Sequence, residues 1–359
     1  MNRNYPKRDF IRTVLRTIGR SLLPLFADVK TESLDLLPRK GPAIFAGNHE
    51  NIIEVVLLAV YSPVAVEFIG SGDVPIDPRF AWLAKLYGFI PIKRGNIDRS
   101  AIYAALKVLR EGGVIGIFPQ GGIWGAEVSE GRSGVALLSY LSGAPVYPIG
   151  FGGLKGAMRK IASFRRPRLT MRAGSPLHMM PSNNTPLKEQ LLSFTNLVME
   201  KIRELLPSDE QKPYRKIIEN FTVEIRVQND GLPWREVEGL NPEIRSGLGL
   251  LFHYPVLLDT FSRNLKLPVH PLQRFGQPVK GSDVKRAAMA ILNYLEHENN
   301  GFFTYRFGVV KGLTIKNAIV QLAGLAEEYK EANFIFEPVY EYSQDGKFFS
   351  FKGKDSLYR

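Results

Sequence analysis

PAIFAGNHENIIEVVLLAV, residues 42–60, changes its period once, and that change decides the fold. The opening run reads as a short apolar strand ending at His49, and IIEVVLLAV continues as an apolar helix. Gly47 and Asn48 favour a turn between them. A strand that passes into a helix within a few residues is the repeating unit of sheets with helices on their faces. The turn also carries two titratable groups, His49 and Glu54. In one α-helix an i, i+5 spacing sets side chains about 140° apart. The two can therefore meet only if His49 sits on the turn and Glu54 within the first helical turn. Glu54 would then hold one ring nitrogen while the other takes a proton from a substrate hydroxyl. Glu50 is a rival partner, although adjacent side chains seldom face each other on a helix. Taken alone, a histidine beside an acid is more often structural than catalytic.

The same alternation runs outward from this stretch. VAVEFIGSG, FIPIKR, VIGIFPQGG, APVYPIGF and RLTMRAGSP read as strands. PRFAWLAKLYG, SAIYAALKVLREGG, SGVALLSYLSG and PLKEQLLSFTNLVMEKIRELLP read as helices, the last ended by Pro207. The pattern predicts an α/β fold with a mixed, largely parallel sheet flanked by helices. In such sheets functional groups gather beyond the carboxyl ends of the strands, where GNHE, KRGN and PQGG all fall. SDEQKPYRK then reads as a linker, and residues 213–359 as a smaller α/β or α+β region of unassigned chemistry. That region shows a strand, FTVEIRVQ, and a Pro-rich apolar segment from Leu250 to Pro278. It also shows a helix with Ser282 or Asp283 as N-cap, a second helix over IKNAIVQLAGLAEEYK, and a hairpin turning at Asp345-Gly346. The expected organisation is an amphipathic segment over 1–29, a main domain over 30–206 and the C-terminal region over 213–359.

Composition narrows the chemistry. The 359 residues include 45% hydrophobic and 23% charged side chains, as in an ordinary folded protein, and no cysteine. Disulfides, thiolate metal sites and cysteine nucleophiles are thereby excluded. The formal charge of +12 attracts polyanions, either nucleic acid, an anionic membrane surface or phosphorylated small molecules. No aromatic-interleaved basic motif accompanies it, so nucleic acid is not an expected partner. No uninterrupted apolar run reaches the ~20 residues of a spanning helix, and the N-terminus lacks a secretory h-region. In KRDFIRTVLRTIGRSLLPLF (7–26), Arg8, Arg12, Arg16 and Arg20 form one helical stripe, and Ile11, Leu15, Ile18 and Leu22 another. Such a helix can lie in a membrane interface with its arginines toward anionic headgroups, or pack on its own domain.

Three further segments suit an anionic ligand. Lys93 and Arg94 end a strand beside Gly95 and Asn96, and an arginine can fork onto a phosphate. Phe118-Pro119-Gln120-Gly121-Gly122 offers backbone N–H groups in a loop that lets a ligand come close. Gly131, Arg132 and Ser133 open a helix, where anions are favoured.

Their order carries more than any one of them: N-H-x4-acid, then G-x-I-P-I-x-R, F-P-x-G, G-x-x-G at a helix start, and the strand GAPVYPIGF. Over roughly residues 30–206 the chain resembles the glycerolipid acyltransferase family, which includes the 1-acylglycerol-3-phosphate acyltransferases. The resemblance implies a glycerol-phosphate acyltransferase-like fold. It also implies acyl transfer from acyl-CoA or acyl-carrier protein, as co-substrate, to the hydroxyl of a lipid acceptor. No metal, no other cofactor and no covalent acyl-enzyme are expected. By the same resemblance His49 is the base and Glu54 its orienting acid, and Arg94 binds an acceptor phosphate. Phe118, Pro119 and Gly121 shape the acceptor site, with Gln120 and Gly122 in the same loop, and Val146 and Pro148 support it. An anionic membrane surface, on the cytoplasmic face, is the implied location. Two positions depart from the family pattern. Glu54 replaces the usual aspartate and keeps its charge and acceptors. FPEGTR becomes FPQGGI, in which Gln120 loses a charge and Ile123 replaces an arginine that Arg132 or Lys93 would have to supply. The second change points to a different acceptor, such as a glycolipid, a sugar or another alcohol, with lysophosphatidic acid as the family default. A non-catalytic lipid-binding or regulatory relative is the alternative reading.

Overall fold

The structure is a computed structural model that describes residues 9–71, 78–92, 98–120, 131–211, 217–237, 240–253, 255–344 and 347–352. The chain forms two compact units, the second made chiefly of residues 215–359 together with residues 73–80 and 94–97. The first contains α1 (Asp9–Phe26), β1 (Asp28–Glu32), β2 (Ala43–Gly47), α2 (Ile53–Tyr61), β3 (Glu67–Ser71), α3 (Pro78–Tyr87), β4 (Ile90–Ile92), α4 (Arg99–Arg110), β5 (Val114–Ile117), α5 (Gly134–Ser142), β6 (Val146–Gly152), α6 (Ala157–Ala162), β7 (Arg168–Ala173) and α7 (Leu187–Glu204). Its seven strands run in the order β1-β7-β6-β2-β5-β3-β4. From β6 to β4 neighbouring strands are parallel, whereas β7 runs against β6 and carries β1 parallel to itself. The sheet is mixed and largely parallel, as the period change in the sequence requires.

The central strand β2 is buried along its whole length. Alternation sends Ile44 and Ala46 into a core formed with α4, α5 and α7. Ala43 and Phe45 point the other way, into a core that includes Ile53, Leu57 and Leu58 of α2. Helices therefore cover both faces, which is why these strands read as continuous apolar runs. Two elements lie outside the pattern seen in the sequence. DVKTE has no apolar alternation, yet it forms the edge strand β1, in register with β7 and tied to it by Arg172 Nε donating to Glu32 Oε2 at 2.7 Å. The six-residue α6 is too short to display a helical period.

Helix α1 turns its arginine stripe toward the protein, the second of the two orientations its sequence allows. Arg12, 1% exposed, donates two hydrogen bonds to the buried Glu67 carboxylate at the start of β3, the Nη2–Oε2 bond being 2.8 Å long. The same guanidinium reaches the Tyr87 carbonyl at 3.1 Å and lies 4.7 Å from the centre of the Tyr87 ring. Arg16 donates to the Ser62 carbonyl, and Arg20 to the carbonyls of Val60 and Ser62 at 3.0 and 3.4 Å. Both arginines thus serve the carbonyls that the C-terminus of α2 leaves without an intrahelical partner. At Gly19 an added Cβ would stand 2.5 Å from Val60 Cγ2, so glycine permits the close approach. The cations face the protein, and Phe10, Val14, Ile18, Leu22, Leu25 and Phe26 are exposed. The sequence periodicity correctly separates two stripes; which one faces inward is decided by Glu67 and by the carbonyls of α2. Arg8 lies outside the described residues.

The second unit contains β8 (Ile217–Gln228), β9 (Arg235–Glu236), α8 (Pro242–His253), α9 (Pro255–Asp259), β10 (Val279–Lys280), α10 (Gly281–His297), α11 (Phe302–Glu328), β11 (Asn333–Gln344) and β12 (Lys347–Lys352). Its five-stranded sheet is antiparallel, with the long β8–β11 pair at its centre. Helices and strands are segregated, so the unit is α+β. The Pro-rich segment is partly helical through α8, α9 and short turns. Helix α10 begins at Gly281, which places Ser282 and Asp283 in its first turn and not at its N-cap. Asp345 and Gly346 lie outside the described residues, and Gln344 pairs with Lys347 on either side of them. The stretch Phe307–Glu328 is long and apolar enough to cross a bilayer, but its Ile315, Ile319, Leu322 and Ala326 are fully buried within the protein.

The Arg12–Glu67 pair sets a stability test. Arg12→Met strands a buried carboxylate and is expected to lower unfolding free energy by about 3–5 kcal/mol. The double variant Arg12→Met with Glu67→Met should recover most of that loss in denaturant titrations. Equal losses in the single and double variants would show that the pair is not what fixes α1.

Candidate active site

The site forms where β2 ends. At Gly47 a Cβ would stand 2.6 Å from the Phe151 ring, so only glycine lets the strand finish against β6. Asn48 is fully buried and uses its side chain as a further rung of the sheet. Its Nδ2 donates to the Phe151 carbonyl at 2.9 Å, and its Oδ1 accepts from the Phe151 N–H at 2.8 Å. Asn51 Oδ1 accepts from the Ile53 N–H at 2.7 Å, which satisfies one of the free donors at the start of α2. Between these two amides the chain is held in a tight turn that carries His49.

His49 and Glu54 meet. His49 Nδ1 lies 2.7 Å from Glu54 Oε1, and Glu54 is wholly buried in the first turn of α2. The same Oε1 accepts from the backbone N–H groups of Glu50 at 2.5 Å and Asn51 at 2.7 Å. Oε2 has no hydrogen-bond donor among the described residues. Three donors and the N-terminus of α2 thus converge on this carboxylate. With Nδ1 bonded to it, the imidazole has Nε2 left for a substrate proton. Glu50 thus contributes its backbone, not its carboxylate, to the pair.

The FPQ segment follows β5, the strand next to β2, and so reaches His49 from the side. The Phe118 ring stacks on the imidazole, with centroids 4.5 Å apart and planes at 23°. Gln120 Oε1 accepts from the His49 backbone N–H at 2.5 Å. Pro119 is buried, and its carbonyl accepts from the Arg132 N–H at 2.6 Å, which ties the start of α5 to the same loop. Arg132 itself is exposed. Val146 is buried in β6, and the Pro148 carbonyl accepts from the Gly174 N–H at 2.9 Å. Lys93, Arg94, Gly121 and Gly122 lie outside the described residues, as does Ile123. Sequence reasoning treated Asn48 as a turn former only and did not single out Asn51. A polar amide between a buried strand and an apolar helix was the available signal for both.

Glu50 shows the electrostatic load on this turn. Its side chain keeps contact with solvent, yet loss of hydration and the nearby Glu54 and Glu210 carboxylates raise its carboxyl to about 7, against the pull of Lys155. Glu210 is raised as well, chiefly by burial, although its Oε1 accepts from the Gly153 N–H at 2.8 Å.

Two outcomes follow from these contacts. A folded-state carboxyl near 7 binds a proton that the unfolded chain releases at ordinary carboxylate pH. Its stabilising contribution is complete below that range and disappears as pH rises toward 7. Glu50→Gln should therefore melt higher than the parent at about pH 8 and equally at about pH 4; a uniform shift at both would rule the charge out. Gln120→Ala should lower kcat/KM by about tenfold, since a buried N–H beside the reacting ring is left unpaired. Gln120→Glu keeps the acceptor and adds a charge that favours the cationic imidazole. It should restore the rate at alkaline pH and move the acidic limb of the pH profile upward; an unmoved limb would assign Gln120 to structure alone.

Part of the chain is similar to known proteins. Residues 28–152 match the acyltransferase family model. The 1-acyl-sn-glycerol-3-phosphate acyltransferase of Bacillus subtilis (strain 168) is 26% identical over 186 residues, 51% of this chain and 91% of that protein. The 1-acyl-sn-glycerophosphate (LPA) acyltransferase PlsC from Thermotoga maritima aligns at 17% identity with a TM-score of 0.39, over 56% of this chain and 86% of its own. The matched segment runs from β1 to the end of β6 and contains the His49–Glu54 turn, and over it the chain is similar to the acyltransferase family.

Proposed function

We propose that the protein is a membrane-peripheral O-acyltransferase that moves a fatty acyl group from a thioester donor, acyl-CoA or acyl-carrier protein, to the hydroxyl of a lysophospholipid or related lipid. The observation that carries this reading is the 2.7 Å contact between His49 Nδ1 and Glu54 Oε1 at the end of β2. His49 Nε2 takes the proton of the acceptor hydroxyl as its oxygen attacks the thioester carbonyl. The tetrahedral intermediate collapses by breaking the C–S bond, and the imidazolium returns the proton to the departing thiolate. Ester and free thiol are the products, and Glu54 holds the ring throughout. Phe118, stacked on the imidazole, fixes the plane in which Nε2 is presented. A lysophospholipid acceptor is supported by the similarity to the 1-acyl-sn-glycerol-3-phosphate acyltransferase of B. subtilis. Attachment to a membrane surface is supported by the exposed apolar residues of α1, which present a side chain about every turn to the outside.

The test is thiol release from acyl-CoA and acyl-carrier protein against phosphorylated and non-phosphorylated acceptors, with products identified by mass spectrometry. His49→Ala should lose about 10²–10⁴ in kcat, the usual contribution of a general base. If the variant turns over as fast as the parent, His49 is not the base. A parent that binds vesicles but consumes no donor with any acceptor would return the chain to the lipid-binding reading.

A further inference from the structure

The turn between α6 and β7, SFRRPR over residues 163–168, is built to hold an aromatic ring away from the protein. Phe164 is 92% exposed and has φ +56°, the left-handed region that bulky side chains avoid. That conformation is pinned by Phe164 N–H donating to the Ile161 carbonyl at 3.0 Å and Arg165 N–H to the Lys160 carbonyl at 2.8 Å. Beyond the turn, Pro167 is buried and its carbonyl accepts from the Asp28 N–H at 2.9 Å. The ring is thus displayed by fixed backbone geometry. Arg159, Lys160, Arg165, Arg166 and Arg168 surround it, all exposed, and none makes an ion pair among the described residues. Asp28, opposite Arg168 in register, is the acid beside them.

Strand direction places this turn. Strand β7 is antiparallel to β6, with Thr170 opposite Gly152, so the turn before β7 lies at the end of the sheet where β6 and β2 finish. That is the His49 end. Strand β1 is parallel to β7 and enters at the same end, directly after Leu25 and Phe26 of α1, both exposed. The apolar outer face of α1 therefore leads into the Phe164 turn along one edge. A helix lying on a bilayer is free to roll about its axis; a second contact away from that axis removes the freedom.

We propose that the 163–168 turn is a second membrane contact, in which Phe164 enters the interface and Arg159, Lys160, Arg165 and Arg166 pair with anionic headgroups. The inference rests on the membrane-peripheral reading above and extends it to the orientation in which His49 meets the lipid surface. Lipid is the occupant that the continuity with α1 selects, since a water-soluble acidic partner gains nothing from an adjoining apolar helix face. The ring supplies burial and the arginines supply charge attraction, so the two contributions are separable by lipid composition and salt.

The chain has no cysteine, so Phe164→Cys and Arg110→Cys each accept a single nitroxide label in the full-length protein. Arg110 precedes β5 and lies at the opposite end of the sheet. On phosphatidylcholine vesicles containing phosphatidylglycerol, the label at 164 should be shielded from an aqueous nickel reagent and exposed to oxygen, and the label at 110 should not. Phe164→Ser should weaken vesicle binding by about tenfold. Arg165→Gln with Arg166→Gln should weaken it by about fivefold per cation, an effect that shrinks with salt and on pure phosphatidylcholine. A water-accessible label at 164 while the parent sediments with vesicles overturns this contact and leaves the membrane reading standing. A parent that ignores both kinds of vesicle overturns both. Unchanged vesicle binding by the double arginine variant, with loss of binding to immobilised acyl-carrier protein, overturns it in favour of a protein-docking turn.

Discussion

A carboxylate taken wholly out of water must be met by donors, and that requirement at Glu54 shapes everything around it. Its Oε1 gathers the His49 ring and the N–H groups of residues 50 and 51. Those N–H groups can point inward only if the chain folds back immediately after β2. The fold-back in turn requires that β2 stop at Gly47, against the Phe151 ring, and that Asn48 supply the next rung of the sheet from its side chain. The geometry of the His49–Glu54 pair and the local folding of this turn are therefore one constraint.

Neighbouring strands complete what the turn begins. Because β5 lies beside β2, the segment after it arrives level with His49, and Phe118 and Gln120 contact the ring and the backbone of that residue. Gln120 offers the oxygen that a glutamate would offer at the same place, without setting a second negative charge beside Glu54. The loop that distinguishes this chain from the family pattern is thus partly a support for the histidine.

The α/β architecture was legible because a buried parallel strand and an amphipathic helix differ in period, and the first unit repeats that contrast from residue 43 to 204. The His49–Glu54 encounter was legible as a condition, a turn followed by a helix start, and the structure meets it. What escaped were features set by partners distant in sequence. DVKTE has no pattern of its own and becomes a strand only because β7 offers it a ladder. The periodicity of α1 separates cations from apolar residues but carries no sign; Glu67 and the carbonyls of α2 decide which stripe turns inward. Gln120 is separated from His49 by 71 positions, and no local rule connects an amide in one loop with a backbone N–H in another.

The inward arginines of α1 also have a thermodynamic meaning. A helix that displayed its cations could reach a partner while the rest of the chain was unfolded, since such a stripe needs only helicity. In this protein the apolar face is turned out by contacts with Glu67, Tyr87 and the end of α2, and those contacts exist only in the native state. A surface that bound this face more tightly in the native state than in the unfolded chain would act as a ligand in the linkage sense and raise the midpoint of unfolding.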